Sequence, residues 1–394
     1  MESIKNIYKI GTGPSSSHTM GPRNAAIIFK GKNKKANQFK VELYGSLALT
    51  GKGHLTDIVL KQVLGKTTEV LFKPEIFYTY HPNGMKFFAY CNDKLIDEWL
   101  VFSVGGGDLK ELNEERNSFG PTKYNEQSMK EILEYCKLNK LSLLDYIIKN
   151  EDSDIIEFGN NIIDIMFDSV ERGLIKEEIL PGSLKVKRRS HDIYLKYLKD
   201  PSLSTLVFAS ALAVSEENAS GGIIVTAPTC GASGVLPGVL YSFYKFYNIE
   251  KDKIVNALLV AGLIGNIVKT NGSISGAEVG CQGEVGVACA MASAALTYLK
   301  GGTNEQIEYA SEIALEHHLG LTCDPVGGYV QIPCIERNAM SSKRAIDCSE
   351  FALLTDGSHH IKFDDAVQTM VETGKDLNKK YRETSIGGLA KIKK

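Results

Sequence analysis

The fold class is decided by two apolar stretches, IVNALLVAGLIGNIVK at Ile254–Lys269 and VGVACAMASAALTYL at Val285–Leu299. Both are apolar for most of the circumference of a helix and lack the polar face of a surface helix. A helix of this kind belongs in the interior of a large protein. The longest apolar run, Ala257–Val268, has 12 residues and is too short to span a bilayer. The two stretches therefore predict buried helices of a large bundle.

The sequence on either side of these stretches extends the helical prediction. Ser202–Glu217 and Asn338–Leu354 also have the composition of helices, and apolar residues recur at helical spacing at Ile307, Ala310 and Ala314. We therefore predict that residues 128–394 form one all-α domain.

The first 110 residues show a different pattern, in which short apolar or alternating runs indicate β-strands. The runs are Phe39–Leu43, Val70–Phe72, Lys86–Tyr90 and Trp99–Val104. His81-Pro82-Asn83-Gly84 has the composition of a turn, because proline presets φ and Asn-Gly tolerates positive φ. The residues after Gly45 carry little β-branching and predict a helix.

A change in composition separates the two parts. Gly105-Gly-Gly107 is followed by a polar, charged stretch and then by Gly120-Pro121, as in a linker. We predict an α+β protein in which a small N-terminal α/β-sandwich-like domain (residues 1–110) and a linker (111–127) precede a larger all-α domain (128–394).

Composition excludes several functional classes. The 394 residues suffice for two or three domains at roughly 150 residues per domain. The formal net charge of −2 gives no basic bias toward phosphate backbones, so we expect no nucleic-acid partner. The opening MESIKNIYKIGTG lacks the apolar core of a secretory signal, so we expect a cytoplasmic protein with reduced cysteines and no membrane partner.

Glycine and cysteine are concentrated in the same part of the chain. Of 37 glycines, 12 lie between Ala219 and Ala290, and four of the 8 cysteines lie in the 54 residues from Cys281 to Cys334. Glycine within a helix costs about 1 kcal/mol relative to alanine, so this density needs a structural reason. Either backbone amides approach a ligand or helices pack closely, and the sequence leaves both interpretations open.

Three of these cysteines, Cys281, Cys323 and Cys334, have glycine or proline within two residues, which predicts exposed, irregular backbone that can turn a thiolate toward a metal. Their spacings of 42 and 11 residues contain no C-x-x-C hook of a zinc site, whereas an iron–sulfur cluster accepts widely spaced cysteines. Buried structural thiols are the alternative, because free cysteine is often buried. Cys289, in an apolar run, is expected in the core.

A second polar group lies near the N terminus, in GTGPSSSHTMGP at Gly11–Pro22. Serial hydroxyls between glycine and proline favour a loop that holds a small polar anion, although the G-K-[ST] and preceding strand of a phosphate loop are missing. His18 in this loop can act as a general base near neutral pH, and His54 lies between flexible residues in TGKGHLT at Thr50–Thr56. A purely structural histidine is the alternative interpretation for each.

These motifs together resemble the family of iron–sulfur-dependent L-serine dehydratases (L-serine ammonia-lyases), with both family domains in one polypeptide. The matching stretches extend in order over nearly the whole chain, and no single motif carries the resemblance. They are GPSSSHT (13–19), YGSLALTGKGH (44–54), SVGGG (103–107), LPGSLKVKRR (180–189), EENASGG (216–222), TAPT (226–229), SISGAEVGCQGE (273–284), GLTCDP (320–325), PCIERN (333–338), ETGKD (372–376) and GGLA (387–390).

The resemblance implies that Cys281, Cys323 and Cys334 ligate a [4Fe–4S] cluster in the all-α domain, with one iron open as a Lewis acid. It also implies that His18 and His54 complete the active site across the domain interface. The expected reaction converts L-serine to pyruvate and ammonium with a histidine as general base, and which histidine does so stays undecided. The hydroxyls expected to position the substrate are Ser15, Ser16, Ser17 and Thr19. We also expect a homodimer.

Other functions stay open beside this one. The same scaffold could act on another β-substituted amino acid, such as threonine or cysteine. A regulatory protein that senses oxygen or iron through a cluster would keep the three cysteines but would need neither histidine. A pyridoxal-phosphate dehydratase lacks support, because no lysine-centred cofactor motif is present.

Two features depart from the family pattern. Some members end in a tail with a cysteine that reaches the cluster, whereas this sequence ends in LAKIKK (389–394). Cys230 follows Ala-Pro-Thr where many members have asparagine. The charged run Lys185–Arg189 is interpreted as a solvated face.

Overall fold

A computed structural model of the chain describes residues 1–112 and 121–392. Its N-terminal part contains a five-stranded sheet and three helices. In chain order these elements are β1 (Ile10–Thr12), α1 (Gly21–Lys32), β2 (Gln38–Tyr44), α2 (Gly45–Thr50), α3 (Thr56–Leu64), β3 (Glu69–Lys73), β4 (Gly84–Cys91), β5 (Lys94–Ser103) and β6 (Leu109–Glu111). The strand order is β3-β2-β4-β5-β6, with β2 parallel to β3 and the other neighbours antiparallel.

The sheet forms because its strands alternate buried and more exposed residues, as the sequence predicts. In β2, Phe39, Val41 and Leu43 are buried against α1 and α3. Phe29 of α1 packs on Phe87 of β4, with their ring centroids 5.4 Å apart. The four predicted strands and the helix after Gly45 are confirmed, within a few residues at their ends.

Among the described residues after β6, the regular elements are helices and one short strand. Its elements are α4 (Met129–Asn139), α5 (Leu143–Asn150), α6 (Ile155–Leu174), α7 (Ser190–Lys199), α8 (Leu203–Ala219), β7 (Ile223–Val225), α9 (Val235–Tyr247), α10 (Lys251–Asn271), α11 (Gly276–Val279), α12 (Val285–Leu299), α13 (Asn304–Glu316), α14 (Cys334–Leu353) and α15 (Phe363–Asp376). The apolar helices α10 and α12 lie side by side in the core, buried on nearly every face. The predicted α+β class is therefore confirmed.

Helix α10 is longer than the apolar run within it. At 21 residues it has the length and hydropathy to cross a membrane. Helix α12 reaches that length and hydropathy only when it is joined to the segment Gly276–Gly283 before it, from which it is bent by 42°. In the structure 83% of the apolar window of α10 is buried by other parts of the protein, as in the core helix of a globular domain.

The extreme N terminus packs on the helical part rather than on the sheet. β1 pairs antiparallel with β7, and the Tyr8 hydroxyl donates to the carbonyl of Leu258 at 2.7 Å. The predicted division at 1–110 and 128–394 stays a prediction, and the predicted linker 111–127 lies partly outside the described residues.

The interpretation of Lys185–Arg189 as a solvated face is wrong for one residue. Arg188 is buried, and its Nη2 lies 2.8 Å from carboxylate oxygens of both Glu217 and Glu178. A buried guanidinium needs such partners, because an unpaired charge would lose its solvation without compensation.

Candidate active site

The two histidine loops of the N-terminal part are tied to each other by hydroxyl groups. Residues Ser16–Met20 form a short, wide helical turn capped by Ser15, whose Oγ accepts from the amide of His18 at 3.1 Å. Thr19 Oγ1 donates to the carbonyl of His54 at 2.7 Å, and Thr56 Oγ1 donates to the carbonyl of His18 at 2.6 Å. These bonds fix the two histidine backbones relative to each other.

His54 presents an unpaired nitrogen to the interior. Its Nδ1 lies 3.0 Å from the carbonyl of Thr50, which can only accept, so Nδ1 carries the proton. Its Nε2 is buried and has no hydrogen-bond partner among the described residues. Burial lowers the pKa of His54 to about 4. The side chain is therefore a neutral imidazole whose free lone pair is on Nε2.

His18 lies beside His54, with their ring centroids 4.6 Å apart. Its Nδ1 is 2.8 Å from Ser17 Oγ, and its Nε2 is 3.3 Å from Ser46 Oγ. Burial, then the neighbouring His54, holds its pKa well below the usual range. In contrast to His54, both ring nitrogens of His18 are in contact with protein hydroxyls.

The three predicted metal-binding cysteines come together from separate segments. Cys281 lies in the short turn Gly280–Gly283 before α12, and Cys323 lies in an extended segment. The prediction of irregular backbone is wrong for Cys334, which is the first residue of α14; the preceding Pro333 starts that helix rather than a loop. The prediction of exposure is wrong for all three, because they are buried where the two parts of the chain pack together. They line one small cavity, of about 20 Å³, together with Ser15 and His54.

The four hydroxyl residues predicted to position the substrate lie in different surroundings. Ser15 lines the cavity. Ser17 and Thr19 instead contact the His18 ring and the His54 backbone, and Ser16 lies next to Cys230 behind the loop. The assignment of all four to substrate binding stays a prediction, and of the four it is Ser15 that lines the cavity with the cysteines.

Glu284 is a cavity residue to which the sequence patterns assign no role, although it directly follows the Cys281 turn. Its Oε2 lies 3.9 Å from Cys281 Sγ and 3.8 Å from Cys323 Sγ, and its Oε1 accepts from Thr229 Oγ1 at 3.0 Å. Burial raises its pKa to about 6. A Cβ at Gly276 would lie 2.5 Å from Glu284 Oε2, so a larger residue there would displace this carboxylate.

Glu383 reaches the cavity from the far C-terminal part of the chain. Its amide donates to the carbonyl of Cys323 at 2.8 Å. Its Oε1 lies 3.3 Å from His18 Nδ1 and 3.9 Å from His54 Nε2. Burial, followed by the nearby Glu284 and Cys281, raises the pKa of Glu383 well above its usual range. No local pattern around Arg382-Glu383-Thr384 indicates this position, because pairing with Cys323 places it.

Arg337 supplies a positive charge beside the thiols. It follows Cys334 by three residues on α14, so the two side chains share a helix face. Its Nη1 donates to the carbonyl of Thr322 at 2.6 Å, and its Nη2 lies 3.3 Å from Asp324 Oδ1. Burial opposes its charge, but the neighbouring Cys281, Cys334 and Cys323 raise the pKa of Arg337 overall.

The donor set fits an iron–sulfur cluster by its chemistry. Three soft sulfur ligands from one cavity are the ligands that such clusters use. Burial raises the pKa of Cys334, and contact with Cys281 together with burial raises the pKa of Cys323. Thiols of this kind become thiolates when a cation binds them. Because the cavity is small, the side chains would have to move apart to admit a cluster.

Two parts of the chain match known families. Residues 111–390 match the family described as serine dehydratase alpha chain, and residues 3–65 match the one described as serine dehydratase beta chain. Both serine dehydratase chain types are thus joined in one polypeptide. This polypeptide belongs to the serine dehydratase family.

Curated relatives match over almost their full lengths. The chain is 41% identical to the L-serine dehydratase of Streptomyces coelicolor, over 98% of both chains. It is 40% identical to L-serine dehydratase TdcG of Escherichia coli, over 99% of both. It is 39% identical to an L-serine dehydratase of Helicobacter pylori strain 26695, over 100% of this chain and 99% of the relative.

Proposed function

We propose that this chain is an L-serine dehydratase, a lyase that converts L-serine to pyruvate and ammonium. The observation that carries the proposal is a single cavity lined by Ser15 and His54 from the N-terminal part and by three cysteines from the helical part. Family membership supports it, since the relatives described above are all named L-serine dehydratases.

Cys281, Cys323 and Cys334 would hold a [4Fe–4S] cluster in this proposal. Three thiolates leave one of four irons without a protein sulfur, and when bound the cluster would supply a Lewis acid for the β-hydroxyl of the substrate. Arg337 would balance part of the negative charge that three thiolates bring into a buried site.

His54 accepts the Cα proton of serine. Its Nε2 lone pair is free, lies in the cavity and is available at neutral pH because burial keeps the ring uncharged. Loss of that proton and of the β-hydroxyl, which takes up a proton and leaves as water, gives 2-aminoacrylate. Tautomerisation and hydrolysis of aminoacrylate then give pyruvate and ammonium.

His18 and Glu383 lie beside His54 and assist it in this proposal. Glu383 Oε1 lies within 3.9 Å of His54 Nε2 and 3.3 Å of His18 Nδ1, so the three side chains form one buried group. This group can hold the proton taken from the substrate while the ring of His54 stays in place. His18 is a positioning residue in this scheme, because its two nitrogens already contact Ser17 and Ser46.

The decisive experiment is purification without oxygen, followed by measurement of iron, sulfide and the visible spectrum. Pyruvate is then assayed from L-serine, L-threonine and L-cysteine before and after exposure to air. We expect about four irons per chain, turnover of serine above the other two substrates, and loss of turnover as the spectrum bleaches in air. Full serine turnover by iron-free protein would overturn the assignment of a cluster. Iron-loaded protein with no turnover would favour the alternative of a regulatory protein that senses oxygen or iron.

A further inference from the structure

A larger cleft lies beside the active-site cavity and shares a wall with it. The cleft has a volume of about 540 Å³ and opens between the N-terminal part and the helical part. Ser46 and Thr384 line the cleft, whereas Glu383, the residue before Thr384, lines the inner cavity. Ser46 Oγ also donates to the carbonyl of Glu383 at 2.7 Å. The segment Arg382–Thr384 therefore separates the two spaces.

Basic side chains dominate the charge of this cleft, which we call the cationic cleft. The charged residues that line it are Lys269, Lys375, Lys379, Arg382 and Glu278. Lys269 is neutralised, because its Nζ lies 2.5 Å from Glu2 and 2.8 Å from Asp108. Glu278 accepts from Ser273 Oγ at 2.6 Å. The balance of the lining is positive.

Three of the cations have no carboxylate partner among the described residues. Arg382 Nη1 reaches only a backbone carbonyl, that of Glu278 at 3.3 Å, and its Nε is buried without a hydrogen-bond partner in the described chain. Lys379 Nζ lies 5.4 Å from the centroid of the Phe77 ring, and Lys375 is exposed on α15. An unpaired guanidinium next to an ammonium is a natural binding site for a carboxylate.

The inner cavity and the cationic cleft also differ in volume. The inner cavity, at about 20 Å³, has room for one water molecule, whereas the cleft lies within the 300–1,000 Å³ range of small-molecule sites. An amino acid therefore fits the cleft as the structure stands, and passage from the cleft to His54 requires the segment Arg382–Thr384 to move. In that segment Glu383 has a φ of 55°, a left-handed conformation that is uncommon outside glycine.

We propose that the cationic cleft captures the carboxylate of the amino-acid substrate before it enters the catalytic cavity, with Arg382 and Lys379 as its partners. The inference rests on the proposed function. The amino acid is a zwitterion without net charge, so the two cations would act on its carboxylate by direct, short-range hydrogen bonds. Pyruvate carries the same carboxylate, so the experiment separates the substrate from the product.

The test compares the holoenzyme with a double variant, Lys375→Glu with Lys379→Glu. The matched control, Lys34→Glu with Lys35→Glu, makes the same charge change on the exposed turn between α1 and β2. At about 10 mM ionic strength, where salt screens the pairing with the carboxylate least, kcat/KM for L-serine should fall about tenfold in the cleft variant while kcat changes less than twofold. Its salt dependence should flatten, and the control should match the native enzyme.

Direct binding provides a readout that does not need turnover. Saturation-transfer NMR on the same holoenzymes uses L-alanine, which has no β-hydroxyl to lose, and sodium pyruvate as separate probes. Loss of the L-alanine signal in the cleft variant and its retention in the control supports the proposal. An unchanged kcat/KM, an equal loss in the control, or a signal from pyruvate alone overturns it. A charge-dependent L-alanine signal in protein that never dehydrates serine would sink the proposed function and leave the carboxylate site standing.

Discussion

The histidine side of the cavity, formed by the loops around His18 and His54, differs from the cysteine side, formed by Cys281, Cys323, Cys334, Glu284 and Arg337. On the histidine side, threonine and serine hydroxyls fix the backbone and one ring, and among the described ring nitrogens of the two histidines only His54 Nε2 has no hydrogen-bond partner. On the cysteine side, Cys281 and Cys323 contact the Glu284 carboxylate only at 3.8–3.9 Å, and Cys334 lines the same cavity. The first arrangement is held by hydrogen bonds within the chain, whereas the second is the donor set that would hold the cluster in the proposed function.

The largest effect is expected from removing a sulfur on the cysteine side. Cys323→Ala should abolish retention of iron and lower serine turnover by at least about 1,000-fold, because the Lewis acid is lost with the cluster. Iron and sulfide analysis of anaerobically purified protein measures it. Cys289→Ala, at a buried cysteine of α12 outside the cavity, is the control and should retain iron. Full iron in Cys323→Ala would remove that residue from the ligand set.

A substitution on the histidine side should lower turnover without changing the iron content. His54→Gln removes the free Nε2 lone pair and should lower kcat by about 10²–10⁴-fold, the usual contribution of a positioned general base. Iron content and the visible spectrum should match the native protein. His191→Gln, at a histidine paired with Glu177 near the surface, is the control. Near-native kcat in His54→Gln would assign proton removal to another group.

The pH dependence tests the same histidine without a mutation. His54 must be neutral to accept a proton, and burial lowers its pKa to about 4. Since protonation becomes appreciable only within about one unit of the pKa, kcat/KM should stay level from pH 8 to about 5 and fall about tenfold per unit below 4. Absorbance of the cluster recorded at each pH distinguishes protonation from loss of iron. An acidic limb near 6 would point instead to Glu284 in the same cavity, whose pKa burial raises to about 6.

The sequence predicts the helices and strands well because their residues are placed by local periodicity. Val285–Leu299 is found with the predicted ends, since it is apolar throughout and the Gly280–Gly283 turn precedes it. The glycine surplus has close helix packing as one cause, and the approach of backbone amides to a ligand stays a prediction. A Cβ at Gly238 would lie 2.7 Å from Ala211 Cα, which is close helix packing, whereas Gly276 leaves room for the carboxylate of Glu284.

Other parts of the site are placed by contacts between distant residues. Glu383 lies 60 positions after Cys323, and only the pairing of their backbones brings its carboxylate to the histidines. Likewise, no local pattern distinguishes His54 from His18, because what separates them is the carbonyl of Thr50 in one case and the hydroxyls of Ser17 and Ser46 in the other. Motifs therefore identify the candidate residues, and the fold assigns the positions from which they act.

The smallest effect is expected from a hydroxyl that connects the two histidine loops. Thr19→Val removes the bond from Oγ1 to the carbonyl of His54 and leaves that buried carbonyl unsatisfied, which should cost about 1–3 kcal/mol of stability. Because the ring of His54 keeps its bond to Thr50, kcat should fall less than in His54→Gln, and iron should be retained. Thr19→Ser restores the hydroxyl and should recover both stability and kcat. If Thr19→Val lost iron as Cys323→Ala does, the two sides of the cavity would be one cooperative unit, and the distinction between a histidine side held by hydrogen bonds within the chain and a cysteine side that would hold the cluster would fail.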